Sequence, residues 1–325
     1  MPRAYQGSFI TKTPITPSGS YQCSTASGVW TIDQMVGWQK AGLWPTAGNV
    51  QTGNLAIFAI GNSTTTRNKY TYSGDVNASA TASSAASYGG SAAGNSTVGI
   101  FAIGNSTTTR NKYTYFGDVN ASATASSPAS CFGSAAGNST VGIFALGIFT
   151  TTRNAYTYSG DVNASATASN FTSYGGSAAG NSTVGIFALG YVCGIGNSAY
   201  RNKYTYSGCV SALTTSASAN AQGGSAAGNA TVGIFALGSS YTTRNKYTYS
   251  GCVSASATAS SAGSYYGSAA GNSTVGIFAL GYVCGASTTR NKYTYSGDVN
   301  ASATASSAAS VYGSAASNGT TGVNA

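Results

Sequence analysis

The fold is decided by residues 98–115, which read VGIFAIGNSTTTRNKYTY and recur along the chain. In each copy an apolar run ending in Gly precedes a polar turn and then a basic, tyrosine-rich run. Six copies are marked by the phenylalanine of the apolar run, and these are Phe58, Phe101, Phe144, Phe187, Phe235 and Phe278. Their spacings are 43, 43, 43, 48 and 43 residues. A period in this range indicates one supersecondary unit that buries its apolar faces only against neighbouring copies.

Each copy predicts four short strands. In the second copy they span residues 96–104, 109–116, 118–125 and the tract that leads to 133–137. Alternation within residues 110–115 places Arg, Lys and Thr on one face of a strand, with Asn and both Tyr on the other. Four strands in each unit of this length are typical of a propeller blade.

The two ends of the repeat array distinguish a closed ring from a linear solenoid. The first copy begins in the middle of a repeat unit, near residue 54, and residues 313–323 are a divergent copy of residues 133–143. In a ring, the C-terminal strand completes the blade that the N-terminal strand opens, and no sheet edge stays open. A solenoid requires polar caps, and the C-terminus carries none. We therefore expect an all-β fold, a six-bladed β-propeller of four-stranded blades over residues 48–325.

Residues 1–47 lack the repeat and are expected to form a separate N-terminal segment. Thr31 and Gln34 fit a capping box at the start of a short helix. The segment is also rich in large apolar side chains, of which the candidate docking residues are Trp30, Met35, Trp38 and Trp44. Such density is favoured in interface cores. Two interpretations stay open, a plug that packs on the propeller and a segment that docks to other proteins.

The charge pattern argues against nucleic acid as a partner. Only 6% of the residues are charged, there is no His or Glu, and the net charge is +9. Each copy contributes one Arg and usually one Lys, which we interpret as a solvated strand face rather than a phosphate track. Anionic glycans or lipopolysaccharide fit this surface better. No signal peptide and no apolar stretch long enough to span a membrane is visible, so we expect synthesis in a cytosol without export or membrane insertion.

Catalytic and metal-binding residue patterns are lacking in the sequence. The repeat acids Asp75, Asp118, Asp161 and Asp298 share one position, which Cys209 and Cys252 occupy in two other copies. A position that accepts either Asp or Cys is most simply explained as a turn position. The six cysteines include no Cys-x-x-Cys pair, and Cys193 and Cys209 lie at opposite ends of one predicted strand, too far apart for a disulfide. We expect free thiols, no cofactor, no metal and no enzymatic activity.

Two loops vary between copies while the other turns barely change. One follows the apolar strand and the other precedes Gly-Ser-Ala-Ala, and alternate loops of an antiparallel blade emerge on the same side. The candidate ligand-binding residues in and beside these loops are Phe149, Tyr191, Tyr200, Tyr241, Tyr265 and Tyr282. A variable, aromatic face is what a recognition surface requires. The alternative is drift in loops that tolerate change.

The repeat also resembles a known family. The run Gly-Ile-Phe-Ala-Leu-Gly, then Asn-Lys-Tyr-Thr-Tyr, then Ser-Ala-Ala-Gly-Asn is similar to a compact kelch-type propeller repeat. It resembles more closely the tandem propeller repeats of bacteriophage tail-fibre and virion proteins, especially those of cyanophages, and residues 27–45 resemble a short module of such proteins.

The resemblance implies a virion structural protein, a tail fibre or adhesin that contacts host glycans and is joined to other virion proteins by residues 1–47. It implies a location in the virion and an oligomeric state in the particle. The alternatives are a purely structural capsid-decoration or tail-associated protein and a non-viral carbohydrate-binding propeller.

Overall fold

The apolar, basic and small-residue segments of each repeat form successive strands of one antiparallel sheet. The structure is a computed structural model, and it describes residues 31, 33, 34, 36, 54–207 and 210–319. The chain divides into residues 1–51 and residues 52–325. The predicted boundary after residue 47 stays a prediction.

The strands are short, and most span four or five residues. In chain order, the strands of the first half are β1 Leu55–Ala59, β2 Arg67–Thr71, β3 Val76–Ala80, β4 Ser91–Gly94, β5 Val98–Ala102, β6 Arg110–Thr114, β7 Val119–Ala123, β8 Ser134–Gly137, β9 Val141–Ala145, β10 Arg153–Thr157, β11 Val162–Ala166, β12 Ser173–Tyr174 and β13 Ser177–Gly180. Those of the second half are β14 Val184–Ala188, β15 Tyr191–Val192, β16 Gly196–Asn197, β17 Arg201–Thr205, β18 Val210–Thr214, β19 Ser225–Gly228, β20 Val232–Ala236, β21 Arg244–Thr248, β22 Val253–Ala257, β23 Ser268–Gly271, β24 Val275–Ala279, β25 Arg290–Thr294, β26 Val299–Ala303 and β27 Ser314–Ser317.

The described residues form six four-stranded sheets, the blades of a multi-bladed β-propeller, and a further sheet of three short strands, β12-β15-β16. From inner to outer strand, blades 1 to 6 are β27-β1-β2-β3, β4-β5-β6-β7, β8-β9-β10-β11, β13-β14-β17-β18, β19-β20-β21-β22 and β23-β24-β25-β26. The inner strands contact one another in cyclic order, β27, β4, β8, β13, β19, β23 and again β27. The prediction of an all-β propeller with four-stranded blades is confirmed.

The first and last strands of the ring lie in the same blade. Strand β27 pairs with β1, from Ala56 opposite Ser317 to Ala59 opposite Ser314. Asn318 extends the pairing, because its side-chain oxygen accepts the Leu55 N–H at 2.8 Å and its own N–H donates to the Leu55 carbonyl at 3.0 Å. The ring is therefore closed by pairing of its two ends, as expected, and a linear solenoid is excluded.

The capping box in the N-terminal segment is also present. The Gln34 N–H donates to the Thr31 hydroxyl at 3.2 Å, and the Thr31 N–H donates to the Gln34 side-chain oxygen at 3.0 Å. Asp33, Gln34 and Val36 are helical. These reciprocal bonds satisfy two donors that a helix start otherwise leaves unpaired.

The repeat arginines are buried between blades, which corrects the interpretation of a solvated strand face. All six are at most 2% exposed, and these are Arg67, Arg110, Arg153, Arg201, Arg244 and Arg290. Arg110 of blade 2 donates to the side-chain oxygens of Asn154 at 3.2 Å and Asn163 at 2.7 Å, both in blade 3. Its guanidinium lies 4.5 Å from the Phe144 ring centre. Burial lowers its pKa to about 10. Amide oxygens and ring faces of the next blade therefore replace the water that solvates an exposed cation.

An equivalent arginine contact joins every blade to the next, including blade 6 to blade 1, although Arg153 and Arg201 each donate to a serine hydroxyl in place of the second asparagine. Arg290 donates to Asn77 at 2.7 Å and to Asn68 at 3.3 Å, and it lies 4.5 Å from the Phe58 ring centre. The neighbouring Asn68 faces the preceding blade while Arg67 faces the following one, as the predicted alternation requires. Arg67 and Asn68 are both buried, although they lie on opposite faces of the strand, because each blade packs between two others.

A second contact between blades, here called the outer clamp, lies beside the outer strands. Asp118 of blade 2 accepts the N–H of Thr81 in blade 1 at 2.9 Å and the Tyr113 hydroxyl, and its carbonyl accepts the Thr81 hydroxyl. Lys69 of blade 1 lies 3.7 Å from the same carboxylate. Burial raises the pKa of Asp118, but these hydrogen bonds and the lysine charge outweigh burial and lower it. The same Thr–Asp contact joins Thr124 to Asp161, Thr258 to Asp298 and Thr304 to Asp75.

Candidate binding face

The two variable loops of each blade lie on one side of the sheets, here called the loop face. Isolated bridges join the turn after the second strand to the loop that precedes an inner strand, as Thr64 to Ser87 and Gly61 to Val311 do. Both loops therefore contribute to a single surface.

Six residues of the loop face form a closed ring of backbone hydrogen bonds. Each N–H donates to the carbonyl of the equivalent residue in the preceding blade, over distances of 2.6 to 3.0 Å. The members in order are Gly89, Phe132, Gly175, Gly223, Tyr266 and Tyr312, and the Gly89 N–H completes the ring by donating to Tyr312. Because these residues immediately precede the inner strands, this backbone ring surrounds the propeller axis.

Three members of the backbone ring are aromatic although the conformation favours glycine. Phe132, Tyr266 and Tyr312 have φ values of 54°, 51° and 57°. A bulky residue in the left-handed region carries a conformational cost, and such costs concentrate at functional sites. Here the three residues that carry this conformational cost are those whose side chains converge on the propeller axis.

These side chains belong to a continuous aromatic surface, here called the aromatic disc. Its six members are Tyr88, Phe132, Tyr174, Tyr265, Tyr266 and Tyr312, all half-buried. Contacting ring centres are 4.1 to 5.8 Å apart. Phe132 contacts four of the other rings, which makes it the centre of the disc.

The tyrosine hydroxyls of the disc are linked to one another. Burial, then a hydrogen bond with Tyr88, raises the pKa of Tyr312 to about 12. Tyr266 is hydrogen-bonded to both Tyr265 and Tyr174. Gln222, which replaces an aromatic residue in blade 5, donates from its amide to the Tyr265 hydroxyl at 2.6 Å. Its amide oxygen is buried and has no hydrogen-bond partner among the described residues. A ligand on the disc would meet ring faces and a small set of neutral polar groups.

Three of the six predicted binding residues belong to this surface or touch it. Tyr265 is a member of the disc. Phe149 and Tyr191 contact Tyr174, with ring centres 4.6 and 5.3 Å away, and contact each other at 6.0 Å. The aromatic surface therefore runs from the axis towards the rim between blades 3 and 4.

The other three predicted residues lie apart on the loop face. Tyr200 stacks on Phe171 with ring centres 5.2 Å apart. Tyr241 and Tyr282 are 46% and 49% exposed, and neither makes a ring contact within the described part of the chain. The predicted docking residues, Trp30, Met35, Trp38 and Trp44, lie outside the described residues.

The turn that carries Phe149 departs from its equivalents. Ile148 and Phe149 have φ values of 51° and 49°, and they are 40% and 51% exposed. The equivalent turns have Asn-Ser or Ser-Ser, at residues 62–63, 105–106 and 239–240. A β-branched residue is strongly disfavoured at positive φ, so this turn exposes two apolar side chains at a conformational cost.

The sequence placed most of the disc in the variable loop that precedes Gly-Ser-Ala-Ala, but of its six members only Tyr265 was singled out as a candidate binding residue. Tyr88, Phe132, Tyr174, Tyr266 and Tyr312 all lie just before a Gly-Ser or Gly-Gly-Ser that opens an inner strand. The sequence shows that these aromatic residues share one position in the repeat. The role of that position depends on which strand is innermost, because only residues beside the inner strands converge on the axis.

The clamp aspartates have φ values of 50° to 54° and are turn residues, as expected. No group of three or more His, Cys, Asp or Glu residues occurs in the part of the chain that is described. Among those residues, no helix is long and apolar enough to cross a bilayer.

Comparisons with known proteins are limited to the fold. No protein-family model and no curated protein matches the chain. The chain is similar to the solved structure of YjhT, with a TM-score of 0.49 and 9% sequence identity, over 61% of this chain and 74% of that one.

Proposed function

We propose that this protein is a structural protein of a bacteriophage virion, a tail-fibre or adhesin propeller whose loop face recognises host-surface glycans without catalysis. The observation that carries the recognition part is the aromatic disc, with its extension to Phe149 and Tyr191. It is a continuous array of ring faces on the side of the propeller where the copies vary.

The chemistry of the disc suits a sugar. A pyranose ring has an apolar C–H face and a polar edge, and tyrosine offers a flat apolar ring beside a hydroxyl. Tyrosine also gives a large contact area at a low cost in conformational entropy. The loops of this face contain no Asp, Glu, Lys or Arg. An uncharged surface of rings and hydroxyls favours the neutral part of a glycan.

The virion part of the proposal rests on the resemblance of the repeats to those of phage tail-fibre proteins. In this proposal the N-terminal segment joins the propeller to other virion proteins through Trp30, Met35, Trp38 and Trp44. The chain acts in the virion, in several copies, with neither nucleic acid nor a membrane as a partner.

A glycan array followed by titration of the best ligand tests the recognition site. Phe149→Ser introduces the residue of the equivalent turns, and we expect it to weaken binding about tenfold, which corresponds to about 1.4 kcal/mol. Tyr282→Ser is the matched control, an exposed aromatic residue apart from the disc, and we expect it to bind as the wild type does.

Three results would overturn parts of the proposal. Unchanged binding in both Phe149→Ser and Tyr191→Ser would show that the extension of the disc is not part of the site, and unchanged binding in Tyr174→Ser as well would show that the disc is not the site. Absence of glycan binding, in a protein that still assembles into particles, would favour the purely structural alternative. Normal assembly after deletion of residues 1–47 would refute the docking role of the N-terminal segment.

A further inference from the structure

Blade 4 carries a second aromatic group on the loop face, farther from the axis than the disc. Tyr200 stacks on Phe171 with ring centres 5.2 Å apart and ring planes 12° from parallel. These two residues are here called the rim pair. Tyr200 immediately precedes β17, the third strand from the axis, whereas Tyr174 of the disc lies shortly before the inner strand β13. Tyr200 is 38% exposed, so the rim pair offers a ring surface to a ligand.

Both members of the rim pair depart from the repeat. The position of Phe171 is alanine in four other blades, at Ala85, Ala219, Ala262 and Ala308. The position of Tyr200 is threonine in all five other blades, at Thr66, Thr109, Thr152, Thr243 and Thr289. Two departures in separate loops therefore meet in one contact. Independent drift of the two loops does not account for such a match.

A hairpin of the same blade lies alongside the chain segment that joins the rim pair to the disc. Its strands, β15 and β16, belong to the longer loop that causes the 48-residue spacing. Strand β15 pairs with β12 and places Tyr191 opposite Tyr174, and the Cys193 N–H donates to the Thr172 carbonyl at 3.1 Å. The Cα atoms of Phe171 and Tyr174 are no more than about 11 Å apart, because only three residues separate them. Aromatic groups therefore follow one another across blade 4, from the axis to the rim.

The cavities beside this path are too small to enclose a sugar. The cavity at the axis, which Phe132, Tyr266 and Tyr312 help to line, measures about 30 Å³. A cavity beside Tyr174, between blades 3 and 4, measures about 10 Å³. Pockets that enclose a small ligand measure about 300–1,000 Å³. The path therefore holds sugars by their faces and stays open at its rim end, so a chain can continue beyond it.

We propose that the ligand is an extended, uncharged polysaccharide chain that lies across blade 4, with the rim pair as a subsite separate from the disc. This inference rests on the proposed glycan recognition and names the class of glycan. Residues 162–200, which include the rim pair and the hairpin, contain no charged side chain, so the path favours neutral sugars. Each stacking contact is weak, but a sugar bound at the disc raises the effective concentration of the next units at the rim pair. A single sugar gains nothing from the rim pair.

Calorimetric titration with fragments of the best-binding glycan, from one sugar unit to six, tests the subsite. We expect the affinity to rise at least about tenfold from the shortest fragment to the longest. Tyr200→Thr and Phe171→Ala restore the residues of the other blades, and each should weaken the longest fragment about fivefold and leave the shortest unchanged. Tyr241→Thr is the matched control, because it removes an exposed aromatic side chain of the loop face and restores the residue found at Thr64. It should leave both affinities unchanged.

The outcomes separate this inference from glycan recognition itself. A single sugar unit that binds as tightly as the longest fragment would overturn the extended path and leave recognition by the disc intact. Unchanged affinity for the longest fragment in both Tyr200→Thr and Phe171→Ala would likewise remove the rim pair from the site. Tighter binding of a charged chain than of a neutral one would contradict the class of glycan. Absence of binding to every fragment would refute glycan recognition and this inference with it.

Discussion

Replacing Arg110 by methionine tests whether the buried arginines hold the blades together. The change keeps most of the side-chain volume but removes two hydrogen bonds, to Asn154 at 3.2 Å and Asn163 at 2.7 Å, and the contact with Phe144 at 4.5 Å. Hydrogen bonds from a charged donor contribute about 1.5–3 kcal/mol each, and a desolvated cation–π contact contributes about 2 kcal/mol.

The opposing term is the cost of burying the cation. Removing the charge recovers several kcal/mol of desolvation, while the half-buried Asn163 amide oxygen loses its donor at about 1–3 kcal/mol. The Asn154 amide oxygen still accepts the Ser127 N–H at 3.0 Å. We therefore expect Arg110→Met to lower the free energy of unfolding by about 2–4 kcal/mol.

Urea unfolding followed by circular dichroism measures this loss. Lys112→Met is the matched control, because Lys112 lies two residues away on the same strand and is half-buried. We expect it to change the free energy of unfolding by less than about 0.5 kcal/mol. Arg290→Met should cost as much as Arg110→Met, since the same contact closes the ring. Equal, small losses in Arg110→Met and Lys112→Met would refute the account of the arginines given above.

Three further predictions concern the pH dependence of the fold, the turn at Ile148 and Phe149, and the closure of the ring. First, burial raises the pKa of twelve described tyrosines and lowers that of six arginines. The neutral tyrosines stabilise the fold below pH 10, and this contribution is lost as the pH rises above 10. The buried charged arginines cost free energy below pH 10, and this cost falls as the pH rises. The tyrosines have the larger total effect because they outnumber the arginines. A pH titration of circular dichroism should therefore show unfolding above pH 10, and an unchanged signal would contradict this. Second, Ile148→Asn with Phe149→Gly should stabilise the fold by about 1 kcal/mol in urea, because both residues accept positive φ. A loss of stability would show that the turn is not strained. Third, deleting residues 313–325 removes β27 and uncovers the edge of β1, so we expect a lower thermal midpoint and association in gel filtration. A monomer that melts as the wild type does would argue against closure through β27.

The local structure was largely predictable from the sequence. The strands observed in the second copy, such as Val98–Ala102 and Arg110–Thr114, lie inside the predicted segments 96–104 and 109–116. The Thr31–Gln34 capping box and the turn role of the repeat aspartates were also predictable. These features depend on periodicity and turn chemistry, which act over a few residues.

The environment of the arginines was not predictable in the same way. Alternation placed Arg67 and Asn68 on opposite faces of a strand, which was correct. A strand with one polar face normally has that face in water, and this led to the wrong expectation. In the propeller both faces pack on neighbouring blades, so the arginine is buried against residues of the next copy.

By itself the sequence determined the repeating unit, its four strands and the closure of the ring, because these follow from period, alternation and the match between the two chain ends. The tertiary structure decided which residues meet. It brought the residues before each inner strand together at the axis as the aromatic disc, and it set Lys69 against Asp118 across two blades. The physical reason is that both groupings join side chains from different copies, whose distance is fixed by how the blades pack rather than by any spacing along the chain.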